Sequence, residues 1–470
     1  MKKIFFLSTA IDYPSEKPHL GHCLEKVQAD VLARYKRLQG FDVYFSIGTD
    51  EHGLKIQRYA QRAEKEPQEF VNKMSGYFKV LWELLNISND DFIRTTEKRH
   101  IKVVQKIIKK IYDKGDIYKG KYKGLYCVGC ESYYLPKDLE GNLCLIHHKP
   151  VEIIEEETYF FRMSKYQKQI SKHIQENKDF IIPESKRNEI FNRLKQPLQD
   201  LSISRKAVEW GIPFFLDKKF TTFVWAEALL NYISTLGYPS GKFKKFWPGE
   251  IHIGKDIIWH HGVILPCLLL SAGLKLPKSI FIHGFLTVNG RKMSKSLGNV
   301  VDPFELISKY GTDAVRYFLL REISPTEDGD FTYEKFEKRY NSDLAGGLGN
   351  FVARVVTIAD KSEIKSSKQI KNVKIRAILD KTKKSYKKVL EDLKLNEALV
   401  LIWDLISFCD KYIEKEKPWQ KDQNQKEVIG NLFLVIKDIA EMIDPFLPET
   451  SQKIKKQLKI IKSEPLFPRI

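Results

Sequence analysis

The chain has 470 residues, of which 30% are charged and 43% hydrophobic, so it is not a disordered, collagen-like or low-complexity protein. Its length predicts roughly two to four domains, each large enough to bury its own core. Lysine and arginine number 79 against 60 acidic residues, and the net charge of +19 favours a polyanionic partner such as nucleic acid, although a lysine-rich proteome would give the same excess.

The first predicted elements form a βαβ unit. Residues 4–10 are predicted to form a strand, residues 19–39 a helix and residues 42–47 a second strand. Such a unit predicts a parallel sheet that binds its ligands at the carboxyl ends of the strands. The chain has no run of about 18 uninterrupted apolar residues, so we expect no membrane span.

The pattern changes twice further along the chain. From about residue 115, short aromatic strands surround a group of cysteines, which indicates an insertion, and the α/β pattern resumes near Thr221. Beyond about Glu334 only amphipathic helical segments follow. The chain is therefore expected to be α/β first and all-helical at its C-terminal end.

A short motif, His19-Leu20-Gly21-His22, directly follows the first strand. Gly21 lets a ligand approach the backbone, the helix N-terminus presents N–H groups, and both imidazoles can donate to phosphate oxygens. This arrangement predicts a site for a nucleoside triphosphate. Taken alone, the histidines are also consistent with polar capping of the helix or an incidental metal pair.

A second motif, Lys292-Met293-Ser294-Lys295-Ser296, stands between Gly290 and Gly298. The glycines indicate a mobile loop, and its lysines and hydroxyls can follow charge that develops on a leaving pyrophosphate. An isolated motif of this kind could also be a solvated basic loop.

A third motif is Cys127-x2-Cys130-x13-Cys144-x2-His147. Two short-spaced ligand pairs predict one tetrahedral Zn²⁺ site, which would be structural because all four positions are filled. His148 is an alternative to His147, and a reduced cluster without metal is the alternative to zinc. Cys23, Cys267 and Cys409 are expected to be small buried residues, and the cysteine pattern predicts a reducing, cytoplasmic setting.

The first two motifs, in this order and with α/β sequence between them, resemble the signatures of class I aminoacyl-tRNA synthetases. Within that class the chain resembles the methionyl-tRNA synthetases over nearly its whole length, in residues 29–37, 48–53, 200–205, 254–257 and 285–296. The cysteinyl enzymes share the two signatures but not these segments. The isoleucine, valine and leucine enzymes carry an editing insertion for which this chain has no room.

The resemblance implies an α/β, Rossmann-type catalytic domain that is split by a zinc-bearing connective insertion and followed by a helix-bundle anticodon domain. The expected parts are the first catalytic half (1–114), the insertion (115–220), the second catalytic half (221–290), the signature loop with a stem-contact region (291–340) and the anticodon domain (341–470). A single zinc and Mg²⁺ with ATP are implied. Some family members continue into a C-terminal dimerisation module. This sequence ends at Ile470 without such a module, so we expect a monomer.

The resemblance also assigns roles to individual residues. The expected catalytic residues are His19, His22, Lys292 and Lys295. The expected ATP-binding residues are His19, Gly21, His22, Gly254, Asp256, Lys292, Ser294 and Lys295. The expected methionine-binding residues are Ile11, Tyr13, Asp50, Trp225, Ala228, Tyr232 and His261, although Ile11, Trp225 and Tyr232 could equally be core residues. The expected anticodon-binding residues are Asn350, Arg354 and Trp419, and the resemblance favours His147 as the fourth zinc ligand.

The implied reaction is activation of L-methionine with ATP to methionyl-adenylate, followed by transfer to the terminal adenosine of initiator and elongator tRNA(Met). The alternative is a synthetase-derived RNA-binding protein that activates no amino acid. The chain departs from its family at His260, where Phe is usual, and at Leu265, where Trp is usual. Asp12 and Glu227 also stand where other residues are usual. Without the usual Phe and Trp, two aromatic walls of the methionine pocket are missing. We therefore expect a roomier pocket that tolerates ethionine.

Overall fold

A computed structural model describes residues 2–134, 139–146, 148–293, 298–362, 369–420 and 424–470. The chain divides into two compact units. The first contains Met1–Pro18, Gly40–Val80 and Asn89–His283, and the second contains His19–Gln39, Leu81–Ser88 and Gly284–Ile470. The five parts expected from the sequence remain a prediction. In the described part of the chain, no helix is long and apolar enough to cross a membrane.

The strands of the described residues range from two to eleven residues in length, and most of them lie in the first unit. In chain order they are β1 (Ile4–Thr9), β2 (Asp42–Thr49), β3 (Asp91–Arg94), β4 (Ile117–Cys127), β5 (Ser132–Tyr134), β6 (Leu139–Glu140), β7 (Leu143–Cys144), β8 (Glu152–Phe161), β9 (Ile181–Ile182), β10 (Leu201–Ser202), β11 (Ser204–Arg205), β12 (Thr221–Thr222), β13 (Glu250–Gly254), β14 (Ser279–His283), β15 (Leu286–Val288), β16 (Arg291–Lys292) and β17 (Gly329–Phe331).

The helices dominate the second unit. In chain order they are α1 (Leu20–Leu38), α2 (Leu54–Arg62), α3 (Pro67–Leu84), α4 (Lys98–Asp113), α5 (Gln167–Glu176), α6 (Glu184–Arg193), α7 (Val224–Ala228), α8 (Asn231–Ser234), α9 (Gly241–Phe246), α10 (Leu265–Ser271), α11 (Pro303–Tyr310), α12 (Thr312–Arg321), α13 (Tyr333–Arg339), α14 (Asn350–Lys361), α15 (Val373–Glu391), α16 (Leu395–Glu416), α17 (Gln425–Ile443) and α18 (Pro448–Ile460). Two π-helical segments, His260–Ile264 and Tyr340–Gly349, interrupt this series.

The first unit is built on a six-stranded sheet in the order β3-β2-β1-β13-β14-β9, and all its pairs are parallel. Its longer strands β1, β2, β13 and β14 are buried after their first residue, as expected for parallel strands covered on both faces. Phe6, Ile107, Ile251 and Leu268 belong to one buried core around this sheet. The parallel sheet that the βαβ pattern predicted is thereby confirmed.

A second sheet, antiparallel, follows in the order β10-β8-β4-β5, and β6 pairs with β7 in a separate hairpin. This region carries the aromatic strands and the cysteines that indicated an insertion. Two further strands of the segment 115–220 lie elsewhere, because β9 pairs with β14 at the edge of the parallel sheet and β11 pairs with β12.

The second unit contains α1, the three-stranded sheet β16-β15-β17 and the helices from α11 onward. A buried ion pair joins α1 to α12, since Arg316 lies 2.8 Å from Asp30 and both side chains are fully buried. The Arg316 guanidinium also donates to the carbonyls of Leu85, Pro445 and Phe446, so most of its buried N–H groups have partners. Among the described residues after Phe331 the regular elements are all helical, as the sequence predicted.

Candidate active site

Asp50 lies at the carboxyl end of β2, where the parallel sheet presents its ligand-binding edge. The backbone holds it beside the end of β1, because Asp12 donates its N–H to the Gly48 carbonyl and accepts the N–H of Asp50, both at 2.8 Å. The Asp50 side chain is only 6% exposed, and its Oδ1 has no hydrogen-bond partner among the described residues. A buried carboxylate oxygen is therefore available to a cation.

The electrostatic surroundings of Asp50 are acidic. Burial raises the pKa of its carboxyl well above the usual value, and the carboxylates of Glu227 and Glu131 raise it further. Glu227 is itself fully buried, yet its pKa is lowered, because the effect of burial is overcome by His52 and His100. The Nδ1 of His52 donates to Glu227 at 2.8 Å, and the Nε2 of His100 lies 3.5 Å from its other oxygen.

Tyr232 and His261, two expected methionine-binding residues, are buried and bonded to each other. The Nδ1 of His261 lies 3.0 Å from the carbonyl oxygen of Ile257, which can only accept, so this nitrogen carries the proton. The Nε2 of His261 is then the acceptor of the Tyr232 hydroxyl at 2.7 Å. His261 lies in the π-helical segment that precedes α10. Ala228 is buried, and Ile11 is half-buried.

Trp225, another expected methionine-binding residue, contacts Cys130 and His260. Its indole N–H donates to the carbonyl of Cys130 at 2.9 Å, and its ring stacks on the His260 imidazole with 3.9 Å between the ring centres. Burial, His261 and Arg193 lower the pKa of His260 to about 3, so the imidazole is neutral near pH 7. The His260 ring thus stacks on Trp225, and the expected loss of two aromatic walls stays a prediction.

Leu265, the other departure, is 1% exposed and belongs to the main core. Its effect on amino-acid selectivity stays a prediction, as does the tolerance of ethionine.

Gly254 and Asp256, two expected ATP-binding residues, mark the carboxyl end of β13. A Cβ at Gly254 would lie 3.1 Å from the Asp256 carboxylate and 3.7 Å from the His283 ring. Gly254 is buried, whereas Asp256 is exposed on the turn that follows. Small size at position 254 thus keeps this strand end open.

In the second unit, the His19 and His22 side chains form a reciprocal cap at the start of α1. His19 Nδ1 accepts the N–H of Gly21 and His22 Nδ1 accepts the N–H of His19, both at 3.2 Å. Their ring centres are 4.0 Å apart. A Cβ at Gly21 would lie 2.9 Å from both His19 and the methyl carbon of Met293, so an alanine here would displace one of these side chains. The cap uses the Nδ1 atom of each ring, and the anion site expected at this helix start stays a prediction.

The lysine signature is described in part. Lys292 pairs through its backbone with Thr287 in β15, and Met293 is buried. The side chain of Lys292 and the whole of Ser294 and Lys295 lie outside the described residues.

The cysteines of the third motif converge. The Sγ atoms of Cys127, Cys130 and Cys144 all lie within 4.8 Å of one another. Cys130 and Cys144 are 3.5 Å apart at sulfur, which is longer than a disulfide bond and suits two ligands of one ion. His147 lies outside the described residues, and the described His148 does not belong to the cluster. The remaining cysteines, Cys23, Cys267 and Cys409, are buried as expected.

The expected anticodon residues lie together on the helical part of the second unit. Asn350 and Arg354 are one turn apart on α14, and the Arg354 guanidinium lies 5.9 Å from the centre of the Trp419 ring. Arg354 is held by Glu414 at 2.6 Å. Trp419 is 45% exposed and lies two residues after the left-handed residue Lys417 that ends α16. The ring is therefore not a core tryptophan.

Sequence reasoning missed several residues that complete these sites. His100 and Glu131 face the Asp50 region from distant parts of the chain, and no local pattern indicates that they do so. For Glu131, the only sequence signal is its position directly after a cysteine of the metal motif.

Comparison with known proteins agrees with this geometry. The model of the family "tRNA synthetases class I (M)" matches residues 5–142 and 130–356, and the model "Anticodon-binding domain of tRNA ligase" matches residues 372–468. The methionine–tRNA ligase of Clostridium tetani is 45% identical, over 100% of this chain and 79% of the relative. That of Bacillus subtilis is 40% identical, over 99% of this chain and 78% of the relative.

A solved structure is also similar throughout. The Mycobacterium tuberculosis methionyl-tRNA synthetase in complex with methionyl-adenylate has a TM-score of 0.94 and 35% sequence identity, and the match covers 99% of this chain and 100% of that one. Both the catalytic and the helical regions are included in this match. The chain therefore belongs to the methionyl-tRNA synthetase family of class I tRNA synthetases.

Proposed function

We propose that this methionyl-tRNA synthetase uses Asp50, the pocket around His261 and the His19–His22 cap to perform the reaction of its family. As a methionine–tRNA ligase, the chain activates L-methionine with ATP to methionyl-adenylate and transfers it to the 3′-terminal adenosine of tRNA(Met). The observation that carries the assignment of residues is Asp50, a buried carboxylate with an unused oxygen at the ligand-binding edge of a parallel sheet.

In our proposal, Asp50 binds the α-ammonium of methionine. A buried carboxylate gains from such a partner, since the ammonium supplies the charge and hydrogen bonds that burial withholds. Trp225, Tyr232, His261, Tyr13, Ile11 and Ala228 would surround the thioether. The hydroxyl of Tyr232 donates to His261, so the two rings would offer the substrate an ordered wall.

Adenylate formation needs charge stabilisation more than a nucleophilic side chain. The methionine carboxylate attacks the α-phosphorus of ATP, the bond to the β-phosphate oxygen breaks, and pyrophosphate leaves with the bonding electrons. His19, His22, Lys292 and Lys295 would stabilise the phosphate charge that develops, and Gly21, Gly254, Asp256 and Ser294 would hold the nucleotide. Mg²⁺ bound with ATP would neutralise further phosphate charge.

In the second step, we propose that the 2′-hydroxyl of the terminal adenosine attacks the activated carbonyl and AMP leaves. Asn350, Arg354 and Trp419 would read the anticodon. A half-exposed tryptophan can stack on an unstacked base, and an arginine and an asparagine can bond to base edges. The initiator and elongator tRNAs would both be substrates.

The three converging cysteines, with His147 as the fourth ligand, would hold one structural Zn²⁺. Thiolates at this spacing fit zinc, and a bound ion would stabilise the local fold. We place the activity in the cytoplasm, where tRNA and ATP are available, and the monomeric state stays a prediction.

The proposal is tested by ATP–pyrophosphate exchange with methionine, in wild type and in Asp50→Asn. We expect exchange in wild type and a rise in KM for methionine of at least about 100-fold in the variant, because a charged hydrogen bond to the ammonium is lost. Glu152→Gln, an exposed substitution in the same unit, is the control. Exchange without any methionine dependence would contradict the assignment, and a complete absence of amino-acid activation would favour the RNA-binding alternative.

A further inference from the structure

The residue directly after Cys130 has an unusual environment for a glutamate. Glu131 is only 4% exposed, and its backbone has φ of +54°, a left-handed conformation that is uncommon outside glycine. Its side chain leaves the cysteine cluster and enters the region of Tyr13 and α2. Such a conformation persists only where the surrounding contacts maintain it.

The Glu131 carboxylate caps α2 from a distant part of the chain. Gly53, the N-cap residue of α2, offers no side-chain cap. Glu131 Oε1 accepts the N–H of Lys55 at 2.6 Å, and the N–H of Leu54 also donates to this carboxylate. These are N–H groups that the helix itself leaves unsatisfied, and a carboxylate is the preferred partner at a helix N-terminus.

The same carboxylate touches the expected methionine pocket. The hydroxyl of Tyr13 lies 3.3 Å from Glu131 Oε1 and 2.9 Å from the carbonyl oxygen of His52, so its single proton is held between the two. The hydroxyl of Tyr126 donates to Glu131 Oε2 at 2.7 Å, which fixes the other side of the carboxylate. Glu131 and the His52 carbonyl therefore orient the Tyr13 hydroxyl together.

Gly53 shows how closely these groups approach one another. Its φ is +106°, and a Cβ at this position would lie 2.8 Å from Glu131 Oε1 and 2.9 Å from the Tyr13 hydroxyl. The backbone at Gly53 and at Lys55 thus lies directly against the Glu131 carboxylate. Any shift of the carboxylate would reach the Asp50 turn directly.

We propose that Glu131 is a positioning residue for methionine, which sets Tyr13 and the Asp50–Lys55 turn in place from its position beside the cysteine cluster. The neighbouring Cys130 carbonyl supports the same site from another side, because it accepts the indole N–H of Trp225. The inference rests on the proposed roles of Tyr13, Asp50 and Trp225. It adds the contacts of Glu131 with Tyr13 and Lys55 to the residues that position methionine.

The test compares Glu131→Gln with wild type in methionine-dependent ATP–pyrophosphate exchange. The amide keeps the size of the side chain but replaces one acceptor with a donor that faces other donors. We expect KM for methionine to rise about ten-fold, since misplaced binding groups cost at least this much, while KM for ATP stays within about two-fold. Bound zinc and the melting temperature are measured on the same samples and should match wild type.

Glu152→Gln is the matched control, because Glu152 also links the inserted sheet to α2, through Arg58, but from an exposed position. It should leave both KM values unchanged. The double variant Tyr13→Phe with Glu131→Gln should raise KM for methionine by less than the product of the two single effects.

An unchanged KM for methionine in Glu131→Gln would overturn the inference. A parallel rise of both KM values with loss of zinc would also overturn it, since Glu131 would then only stabilise the fold. Wild-type protein that activates no methionine would instead contradict the proposed function, so the two failures are distinguishable.

Discussion

The methyl carbon of Met293 packs so closely on Gly21 that a Cβ at position 21 would come within 2.9 Å of it. These residues belong to the two motifs that carry the resemblance to class I synthetases, and they are separated by most of the catalytic sequence. The beginning of the lysine signature is therefore anchored at the N-terminus of α1, beside the histidines that we propose bind the triphosphate.

Gly21→Ala should lower the rate of adenylate formation by at least about ten-fold. The added methyl group displaces either the Met293 side chain or the His19 ring, since both lie within 3.0 Å of the new atom. ATP–pyrophosphate exchange measures this rate. Adding Met293→Ala should recover part of the loss by giving the methyl group space, and a Gly21→Ala enzyme with normal kcat would contradict the account.

Methionine binding should weaken as pH falls. The pKa of Asp50 is raised by burial and by Glu227 and Glu131, so its carboxyl gains a proton at a higher pH than an ordinary aspartate. The protonated form cannot pair with the ammonium, and KM for methionine should rise about ten-fold per pH unit below that pKa.

Glu227→Gln tests whether the carboxyl of Asp50 is the group that causes this pH dependence. It removes a neighbouring negative charge, which lowers the pKa of Asp50 and moves the rise in KM to lower pH. The measurement is KM for methionine as a function of pH in both proteins. A rise that begins at the same pH in wild type and Glu227→Gln would show that another group titrates.

Trp419→Ala should raise KM for tRNA while methionine-dependent pyrophosphate exchange stays intact. Base–aromatic stacking contributes about 1–3 kcal/mol, which corresponds to about 5- to 150-fold in KM. Because the ring is 45% exposed, its removal should leave the fold unaffected. Ile460→Ala, another exposed apolar residue, is the control and should change neither activity. Loss of both activities in Trp419→Ala would mean that the ring is structural.

Cys127→Ser should release about one equivalent of bound zinc and destabilise residues 115–160, because metal binding contributes to local folding. Metal analysis and hydrogen exchange of the purified protein measure the two effects. Cys409→Ala, which removes a buried thiol far along the chain from the cluster, should keep its zinc. Full zinc content in Cys127→Ser would contradict the site.

The sequence predicts features that depend on neighbouring residues. The helix at 20–38, the parallel strands around it and the cysteine cluster all follow from local periodicity or spacing. The exposure of Trp419 follows from its place after Pro418 at the end of a helix.

Contacts between distant segments could not be predicted in this way. The pairing of Glu227 with His52 spans 175 residues, and that of Glu131 with Tyr13 spans 118 residues. Neither leaves a periodic pattern, because each depends on how the chain folds back on itself. Likewise, the His260 ring occupies a stacked position on Trp225 that only the folded structure reveals.

The most direct test of the whole account is ATP–pyrophosphate exchange measured with each of the twenty amino acids in turn, at saturating ATP and Mg²⁺. The account predicts that methionine supports exchange with the highest kcat/KM and that Asp50→Asn loses this activity. Exchange that is faster with another amino acid, or no exchange with any of them, would contradict it.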